Sequence, residues 1–304
     1  MTKNNKLVTG VFAALVAVVG LKYYFRNSNF AVLNPAGSIG QSERHIMYLA
    51  LLLSLFVIIP VFGLTLFIVL RYRETNHKSK YTPDWDHSRL LESIWWGIPA
   101  AIILVLSIIT WNSSHQLDPA RAINSSNKTL KIQVVAMQWK WLFIYPQQHI
   151  ASVNFLQIPT DTPVQFEITS DAPMNSFWIP QLGGQIYAMP GMSTHLNLMA
   201  TSPGNYRGLS ANISGEGFSG MTFKVRATSS HEFSAWVVST QQLNNKFTQT
   251  EYDLLAQPSK NNKYAFYTDN DTALYDRVVM KYMTPSLEQV TPNLTYQLLN
   301  KASY

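Results

Sequence analysis

Residues 129–145 read TLKIQVVAMQWKWLFIY, and they set the fold class of the second half of the chain. Apolar side chains alternate with polar ones along much of this stretch, and β-branched and aromatic residues are frequent, which is typical of β-strands. The same alternation returns in VQFEITS (164–170), THLNLMA (194–200) and MTFKVRA (221–227), with Pro- and Gly-containing turns between them. Short alternating strands in such a succession predict an antiparallel β-sandwich, which we place at residues 125–230.

The alternation stops after this region. Residues 231–285 contain HEFSAWVVSTQQL, FTQTEYDLLAQPS and the aromatic-rich YAFYTDNDTALYDRVVMKYM, which predict a small helical extension. Residues 286–304 show no clear period and are interpreted as a tail.

Two long apolar stretches precede the sandwich, at residues 46–70 and 91–111. At ~1.5 Å per helical residue, each is long enough to cross a hydrocarbon core of about 30 Å. Trp95, Trp96 and Trp111 lie near the ends of the second stretch, where interfacial aromatic anchors are expected. Residues 42–115 therefore predict a transmembrane helical hairpin.

The loop between the two spans is basic and predicts the orientation of the hairpin. It contains Arg71, Arg73, Lys78, Lys80 and Arg89. Positively charged loops stay in the cytoplasm, so the sandwich is expected on the opposite side. We expect a multi-pass membrane protein with its C-terminal domain outside the cytoplasm, and a domain without Cys fits a bacterial periplasm as well as any other compartment.

A shorter apolar stretch at residues 7–21 has two interpretations. It follows Lys3 and Lys6, and it is about as long as a signal-peptide core but short for a span. Residues 1–28 are therefore either a signal peptide or a short N-terminal transmembrane helix, and the sequence leaves both open.

Composition excludes several classes of function. Hydrophobic residues make up 47% of the 304 residues and charged residues only 13%, which favours a membrane protein. The net charge is +6, but no basic run is interleaved with aromatic residues, so nucleic-acid binding is not expected. The chain has no Cys, which excludes disulfides, thiolate metal sites, iron–sulfur clusters and thiol nucleophiles.

The order of these features carries a resemblance. A helical hairpin, the motif QWKW, a β-sandwich and the Gly-rich loop SANISGEGFSGM (210–221) follow one another. In this order they resemble subunit II of the haem–copper respiratory oxidases, over about residues 30–285. The resemblance implies a cupredoxin-like Greek-key sandwich, which in cytochrome c oxidases holds a two-copper centre bound by thiolates, imidazoles and a Met.

Carried over residue by residue, the resemblance places the two thiolate positions on Ser210 and Ser214. The position of the Glu that supplies a backbone carbonyl falls on Asn212. Hydroxyl groups are hard ligands with a high pKa and replace thiolates poorly.

The two histidine positions fall on Asn175, in PMNSFWIP, and on Phe218, while Met221 keeps the position of the thioether ligand. One thioether does not hold copper, so the resemblance implies a sandwich without metal. We expect this chain to bind no cofactor of its own.

This loss of ligands is typical of quinol oxidases, and the phrases QWKWLFIYP, MNSFWIP, QIYAMPGM and SGEGFSGM resemble the cytochrome bo-type branch. The resemblance implies a complex that oxidises ubiquinol, reduces oxygen to water and pumps protons. Haems and copper are then expected in subunit I. The expected partners are subunit I, the other subunits, the lipid bilayer and ubiquinol through the complex, but not cytochrome c.

Three residues have two interpretations each. Glu92 is either a helix-start carboxylate favoured by the dipole or, as the resemblance implies, a proton-input residue at the boundary with subunit I. Trp139 and Trp141 either pack in the core and at the interface with subunit I or mark an aromatic electron-entry region.

Other metal-capable residues fall on no ligand position. His149, His195 and His231 are interpreted as ordinary surface or half-buried histidines. A methionine cluster could indicate copper handling, but strand packing and turn placement explain it equally well; its members are Met189, Met192 and Met199.

Two alternatives remain to be weighed. A cytochrome c oxidase subunit II requires thiolate ligands, which the absence of Cys opposes. A membrane-tethered periplasmic β-sandwich could instead serve in assembly or binding outside any oxidase, and the hairpin and the copper-type loop argue against that alternative.

Overall fold

The computed structural model describes residues 20, 30–74, 76, 85–268, 271 and 273–283. The predictions for residues 1–28 (apart from Gly20), for Lys78 and Lys80 and for the tail at 286–304 lie outside these residues.

Two long helices precede the sandwich. Helix α1 spans Ser38–Arg71 with Pro60 inside it, and helix α2 spans Arg89–Gln116. Both are long and apolar enough to cross a membrane, and their most apolar windows bury none of their residues within the chain. Apolar surface of this extent is stable against lipid or against other transmembrane helices.

The sandwich consists of two sheets. The first sheet, in the order β11-β3-β2-β1-β5-β8, contains β1 Leu130–Met137, β2 Lys140–Tyr145, β3 Ile150–Val153, β5 Val164–Ser170, β8 Thr194–Leu198 and β11 Ala265–Thr268. The second, in the order β4-β10-β9-β6-β7, contains β4 Phe155–Pro159, β6 Asn175–Trp178, β7 Ile186–Ala188, β9 Gly204–Ser210 and β10 Thr222–Thr228.

Pairing within the sheets is mixed, whereas the alternating pattern predicts antiparallel pairing throughout. Strand β1 pairs with β5, and β4 with β10, in parallel. The physical reason is a change of sheet at Asn154, the single residue between β3 and β4, which has a φ of 55°. Because β4 leaves the first sheet there, the chain returns to it as β5 beside β1 rather than in a hairpin with β3.

Aromatic rings fill the space between the two sheets. Phe177 and Phe223 stack with ring centroids 5.2 Å apart, and the Trp141 ring meets that of Phe177 edge-on at 5.4 Å. Phe143 and Phe166 complete a core in which these five side chains are at most 2% exposed. Such aromatic packing contributes strongly to sandwich stability.

The C-terminal extension packs on both apolar clusters of the sandwich. Phe233 and Val237 of its first helix join the main core, and its later helices pack on the outer face of the first sheet. The extension contains α3 Ser230–Gln241, α4 Gln249–Ala256, strand β11 and α5 Leu274–Lys281. A second apolar cluster forms between this extension and β1–β3; its members include Val135, Met137, Leu142, Ile144, Phe247, Tyr252, Tyr267, Leu274 and Val278. As a result β2 is buried along its whole length, and β11 adds a strand where the sequence predicts only helices.

The chain just before α1 also belongs to the sandwich. The backbone N–H of Ala36 donates to the carbonyl of Gln181 at 2.7 Å, and that of Thr201 donates to Ala36 at 2.8 Å. Gly37 forms a bridge with Ala200, and a Cβ at this glycine would lie 2.4 Å from the Leu182 carbonyl oxygen. Residues 36–40 are therefore held to the edge of the sandwich by backbone hydrogen bonds and belong to that domain.

Candidate functional site

Two of the predicted ligand positions lie together at one end of the sandwich. Asn175 begins β6 and Ser210 ends β9, which are neighbours in the second sheet. The Ser210 hydroxyl donates to Oδ1 of Asn175 at 2.9 Å, and both residues are buried. The Asn175 amide nitrogen in turn donates to the Pro173 carbonyl at 2.8 Å. Polar groups at these positions bind one another.

Asn212 and Ser214 differ in how their side chains are satisfied. The Asn212 amide donates to the Met174 carbonyl at 2.8 Å, so it joins the loop of Ser210 to that of Asn175. The Ser214 hydroxyl is buried without a hydrogen-bond partner in the described part of the chain. Its carbonyl, however, accepts a hydrogen bond from the Trp139 indole at 3.1 Å.

Phe218 and Met221 close the loop. Phe218 opens a single 3-10 turn, Phe218–Gly220, and is half-buried. Met221 is 1% exposed and packs in the main core. Met221, at the predicted thioether position, is therefore a core side chain in this structure.

The glycines of this loop have different physical roles. Gly215 has a φ of +108°, which favours glycine. Gly217 has an ordinary φ of −88°, but a Cβ there would lie 2.3 Å from the Trp139 ring. Gly217 is therefore needed for close packing against Trp139.

Trp139 lies in the tight turn between β1 and β2 with a φ of 63°, a left-handed conformation that is rare for a bulky side chain. The Lys260 ammonium lies 5.6 Å from its ring centroid and also pairs with Glu216. The hydrogen bond from Lys260 to the exposed Glu216 carboxylate, followed by the positive charge of Lys260, holds the pKa of Glu216 below its usual value. The indole is thus enclosed by the Gly-rich loop and a cation.

Trp141 differs from Trp139 because it has no exposed surface. It therefore packs in the core and cannot contact a partner subunit directly, which restricts the interface prediction to Trp139. Its indole nitrogen has no hydrogen-bond partner among the described residues.

The donor groups at this end of the sandwich do not fit copper. They are hydroxyls, amides and one core thioether, and the hydroxyl of Ser210 and the amides already bind protein atoms. Copper electron-transfer sites need soft thiolate and imidazole ligands. His149, His195 and His231 are exposed, and in the described ranges no three His, Asp or Glu residues cluster as a metal site would require. Of the methionines, Met192 is exposed, and Met189 and Met199 are half-buried.

Glu92 lies in the other part of the chain, in the first turn of α2. Ser88 caps this helix and accepts from the Leu91 N–H at 3.5 Å. Glu92 lies at an open cavity of about 390 Å³; the cavity is lined by Trp85, Asp86, His87, Ser88, Leu91, Glu92, Trp95 and Trp96. Glu92 is therefore accessible within the chain.

The sequence did not predict the contacts of three charged residues at the end of the sandwich that carries the loop 210–221. Asp171 follows β5 and its carboxylate is only 1% exposed. Lys140 follows Trp139 and is 1% exposed, and burial lowers the pKa of its ammonium. Lys260 contacts Trp139 from the C-terminal extension. The one available signal was the charge of Lys140 between two tryptophans, since the other contacts join residues far apart in the chain.

Comparison with known proteins gives the class of this protein. Residues 147–228 match the family described as "Cytochrome C oxidase subunit II, periplasmic domain". Residues 241–286 match the family described as "COX Aromatic Rich Motif". The sandwich and its C-terminal extension thus match domains of oxidase subunit II, and the predicted β-sandwich with a helical C-terminal extension is confirmed.

Full-length relatives narrow the assignment. The cytochrome bo(3) ubiquinol oxidase subunit 2 of Pseudomonas putida is 47% identical over 254 residues, covering 84% of this chain and 81% of that protein. The protein of the same name from Pseudomonas aeruginosa is 45% identical over 282 residues, covering 93% and 84%. Ubiquinol oxidase subunit 2 of Acetobacter aceti is 43% identical over 253 residues, covering 83% and 82%. This chain belongs to the family of ubiquinol oxidase subunit 2 proteins, as the resemblance predicts.

Proposed function

We propose that this chain supports the catalytic subunit of a respiratory complex that oxidises ubiquinol, reduces oxygen to water and pumps protons. Its membership of the ubiquinol oxidase subunit 2 family supports the substrate. The proposal that this chain supports the catalytic subunit without a redox centre of its own rests on the polar groups at the predicted ligand positions. There the Ser210 hydroxyl donates to Asn175 at 2.9 Å. These groups have no redox chemistry, so electrons do not pass through a centre in this sandwich.

The nature of the donor explains why an external metal relay is dispensable. Cytochrome c is water-soluble and needs a docking face with a redox centre beneath it. Ubiquinol dissolves in lipid and delivers electrons within the membrane. We therefore place the haems and copper in subunit I, and we assign no cofactor and no cytochrome c docking to this chain.

The chain is membrane-anchored, since it has two helices able to span a membrane and an oxidase subunit II domain. The basic residues Arg71, Arg73 and Arg89 between the helices support a cytoplasmic loop. We therefore propose the bacterial inner membrane with the sandwich in the periplasm. The exposed apolar surface of the helices supports partners in the bilayer, namely subunit I, other subunits and lipid.

Glu92 is proposed as a proton-input residue for subunit I. Its support is the open cavity at the start of α2, which is lined by the polar residues Asp86 and His87 as well as by Glu92. Ionisable residues within membrane-spanning segments often mark proton routes.

The experiment is to purify the intact complex and to measure oxygen uptake with ubiquinol and with reduced cytochrome c. Copper and haem are counted on the same sample. Uptake with ubiquinol alone, and no copper beyond that of subunit I, is the expected result. Uptake with cytochrome c or additional copper would contradict the proposal, and a chain that purifies without any haem-bearing partner would favour the assembly or binding alternative.

A further inference from the structure

The C-terminal module, which we define as residues 241–283, contacts four neighbouring loops at one end of the sandwich. These loops are the β1–β2 turn (138–139), the β5–β6 loop (171–174), the β7–β8 loop (189–193) and the β9–β10 loop (211–221). Strand register places them together, because Ala136 pairs with Ser170, Ile168 with Thr194 and Asn175 with Ala188.

Of the loop residues that contact the module, Asp171 has three partners there. Its buried carboxylate accepts from the Tyr252 hydroxyl at 2.5 Å and from the Tyr282 hydroxyl at 2.6 Å. The Lys281 ammonium pairs with the same carboxylate at 2.7 Å. All three donors come from the C-terminal module. A buried carboxylate is tolerated only when it is paired and hydrogen-bonded, so this contact fastens α4 and the end of α5 to the β5–β6 loop.

Lys140 provides a second contact with the module. Its ammonium donates to the carbonyls of Leu255 and Gln257 at 2.6 and 2.8 Å. These carbonyls are at the C-terminal end of α4, where a cation is favoured by the unpaired carbonyls and the helix dipole. The β1–β2 turn is thereby joined to the module.

The β9–β10 loop and the β7–β8 loop receive their own contacts. Lys260 pairs with Glu216 while its ammonium lies over Trp139. The hydroxyls of Tyr275 and Ser193 are 2.8 Å apart. Direct links between the loops themselves are neutral hydrogen bonds, as between Asn212 and Met174.

We propose that the C-terminal module is the clamp that fixes the β5–β6 loop (171–174), next to Asn175, and the β9–β10 loop (211–221), and that Asp171 is its principal positioning residue. Among the described residues, the charged contacts at this end include a residue of the module, whereas the hydrogen bonds between the loops themselves are neutral and the Ser214 hydroxyl has no partner. The inference rests on the proposed function in one respect: a metal bound between these loops would make the clamp superfluous.

The test is hydrogen–deuterium exchange on the intact oxidase complex, with peptides that cover residues 171–175, 210–221 and 241–283. The variants are Asp171→Asn and Tyr252→Phe, the second of which removes a single hydroxyl and keeps the ring. Asp271→Asn is the matched control, because Asp271 pairs with Arg277 inside the module at 2.6 Å and is itself a surface residue.

In Asp171→Asn, hydrogen–deuterium exchange is expected to rise roughly tenfold in the module and in both loop peptides. The reason is that Tyr252, Lys281 and Tyr282 lose the charged acceptor that they share. A smaller rise is expected in Tyr252→Phe and none in Asp271→Asn. Faster exchange in the module with unchanged loop peptides would overturn the proposal. If the Asp171→Asn protein does not accumulate, the proposal is tested by Tyr252→Phe: faster exchange in the module and in both loop peptides supports it, and unchanged loop peptides overturn it. The copper count of the native complex tests the proposed function separately, whatever the exchange shows.

Discussion

At the scale of single residues, the predicted ligand positions show how polar side chains satisfy one another at the buried end of the sandwich. Ser210, Asn175 and Asn212 form a continuous set of hydrogen bonds between two loops. The positions themselves could be predicted from the sequence, because a loop motif is local. Their partners could not, since Met174 and Trp139 lie far from residues 210–221 along the chain.

Gly217→Ala tests the close packing of the loop on Trp139. The added methyl group would meet the ring at 2.3 Å, so the variant is expected to lose about 1–3 kcal/mol of stability. The measurement is the unfolding temperature of this subunit in the purified complex by calorimetry. Ser219→Ala, at an exposed position of the same loop, is the control and is expected to match the wild type. Equal unfolding temperatures for both variants would show that the indole moves aside freely.

At the scale of elements, the β-strands of the sandwich are predictable from period-two alternation, but β2 and β11 show where that signal ends. Strand β2 is buried on both faces, so its sequence lacks a polar side. Strand β11 is four residues long and pairs with β3, which is more than a hundred residues earlier. Its existence depends on a distant edge rather than on its own sequence. The parallel pairs likewise follow from the change of sheet at Asn154.

The attachment of the module is expected to weaken at alkaline pH. Burial and the hydrogen bond to Asp171 raise the pKa of the Tyr252 hydroxyl, and the same causes raise the pKa of Tyr282. Burial opposes protonation of Lys281, but its contact with Asp171 outweighs burial, and its pKa is raised. Because all three folded pKa values exceed the unfolded values of about 10, this stability is complete below about pH 10 and is lost as pH rises through the folded values.

The measurement is the unfolding temperature of the subunit between about pH 9 and pH 11, the range in which unfolded tyrosine and lysine titrate. Tyr252→Phe removes one of the titrating groups, so its unfolding temperature should fall less steeply with pH. A wild-type value that rises across this range would contradict the sign of the argument.

At the scale of the whole molecule, the fold class, the membrane hairpin and the family are all predictable from the sequence, because each depends on long-range composition or on motifs in a fixed order. The role of the C-terminal extension is not, since its contacts are made through side chains such as Lys140 and Asp171 that no local pattern distinguishes. The sequence of the extension predicts helices and shows many aromatic residues, whereas its contacts with four loops are seen only in the structure.

Glu92→Ala belongs to this scale because it tests a route that continues into another subunit. Removal of the carboxylate is expected to lower turnover and proton pumping of the assembled oxidase while the haem content stays unchanged. Oxygen uptake and proton ejection in vesicles are the measurements. Asp86→Ala, in the same cavity, shows whether the effect is specific to one carboxylate. Turnover and pumping equal to the wild type in Glu92→Ala would exclude the proton-input role.

The backbone contacts of residues 36–40 have a practical consequence for producing the sandwich and its extension as a soluble fragment. A fragment cut after α2, beginning near Pro119, would lose the backbone partners of Gln181, Leu182 and Thr201. It would also expose the surface on which Gly37 and Gly40 lie against Leu182. A soluble version therefore needs residues 30–41 grafted back through a short linker, and the membrane hairpin is an insertion into the domain rather than a preceding anchor.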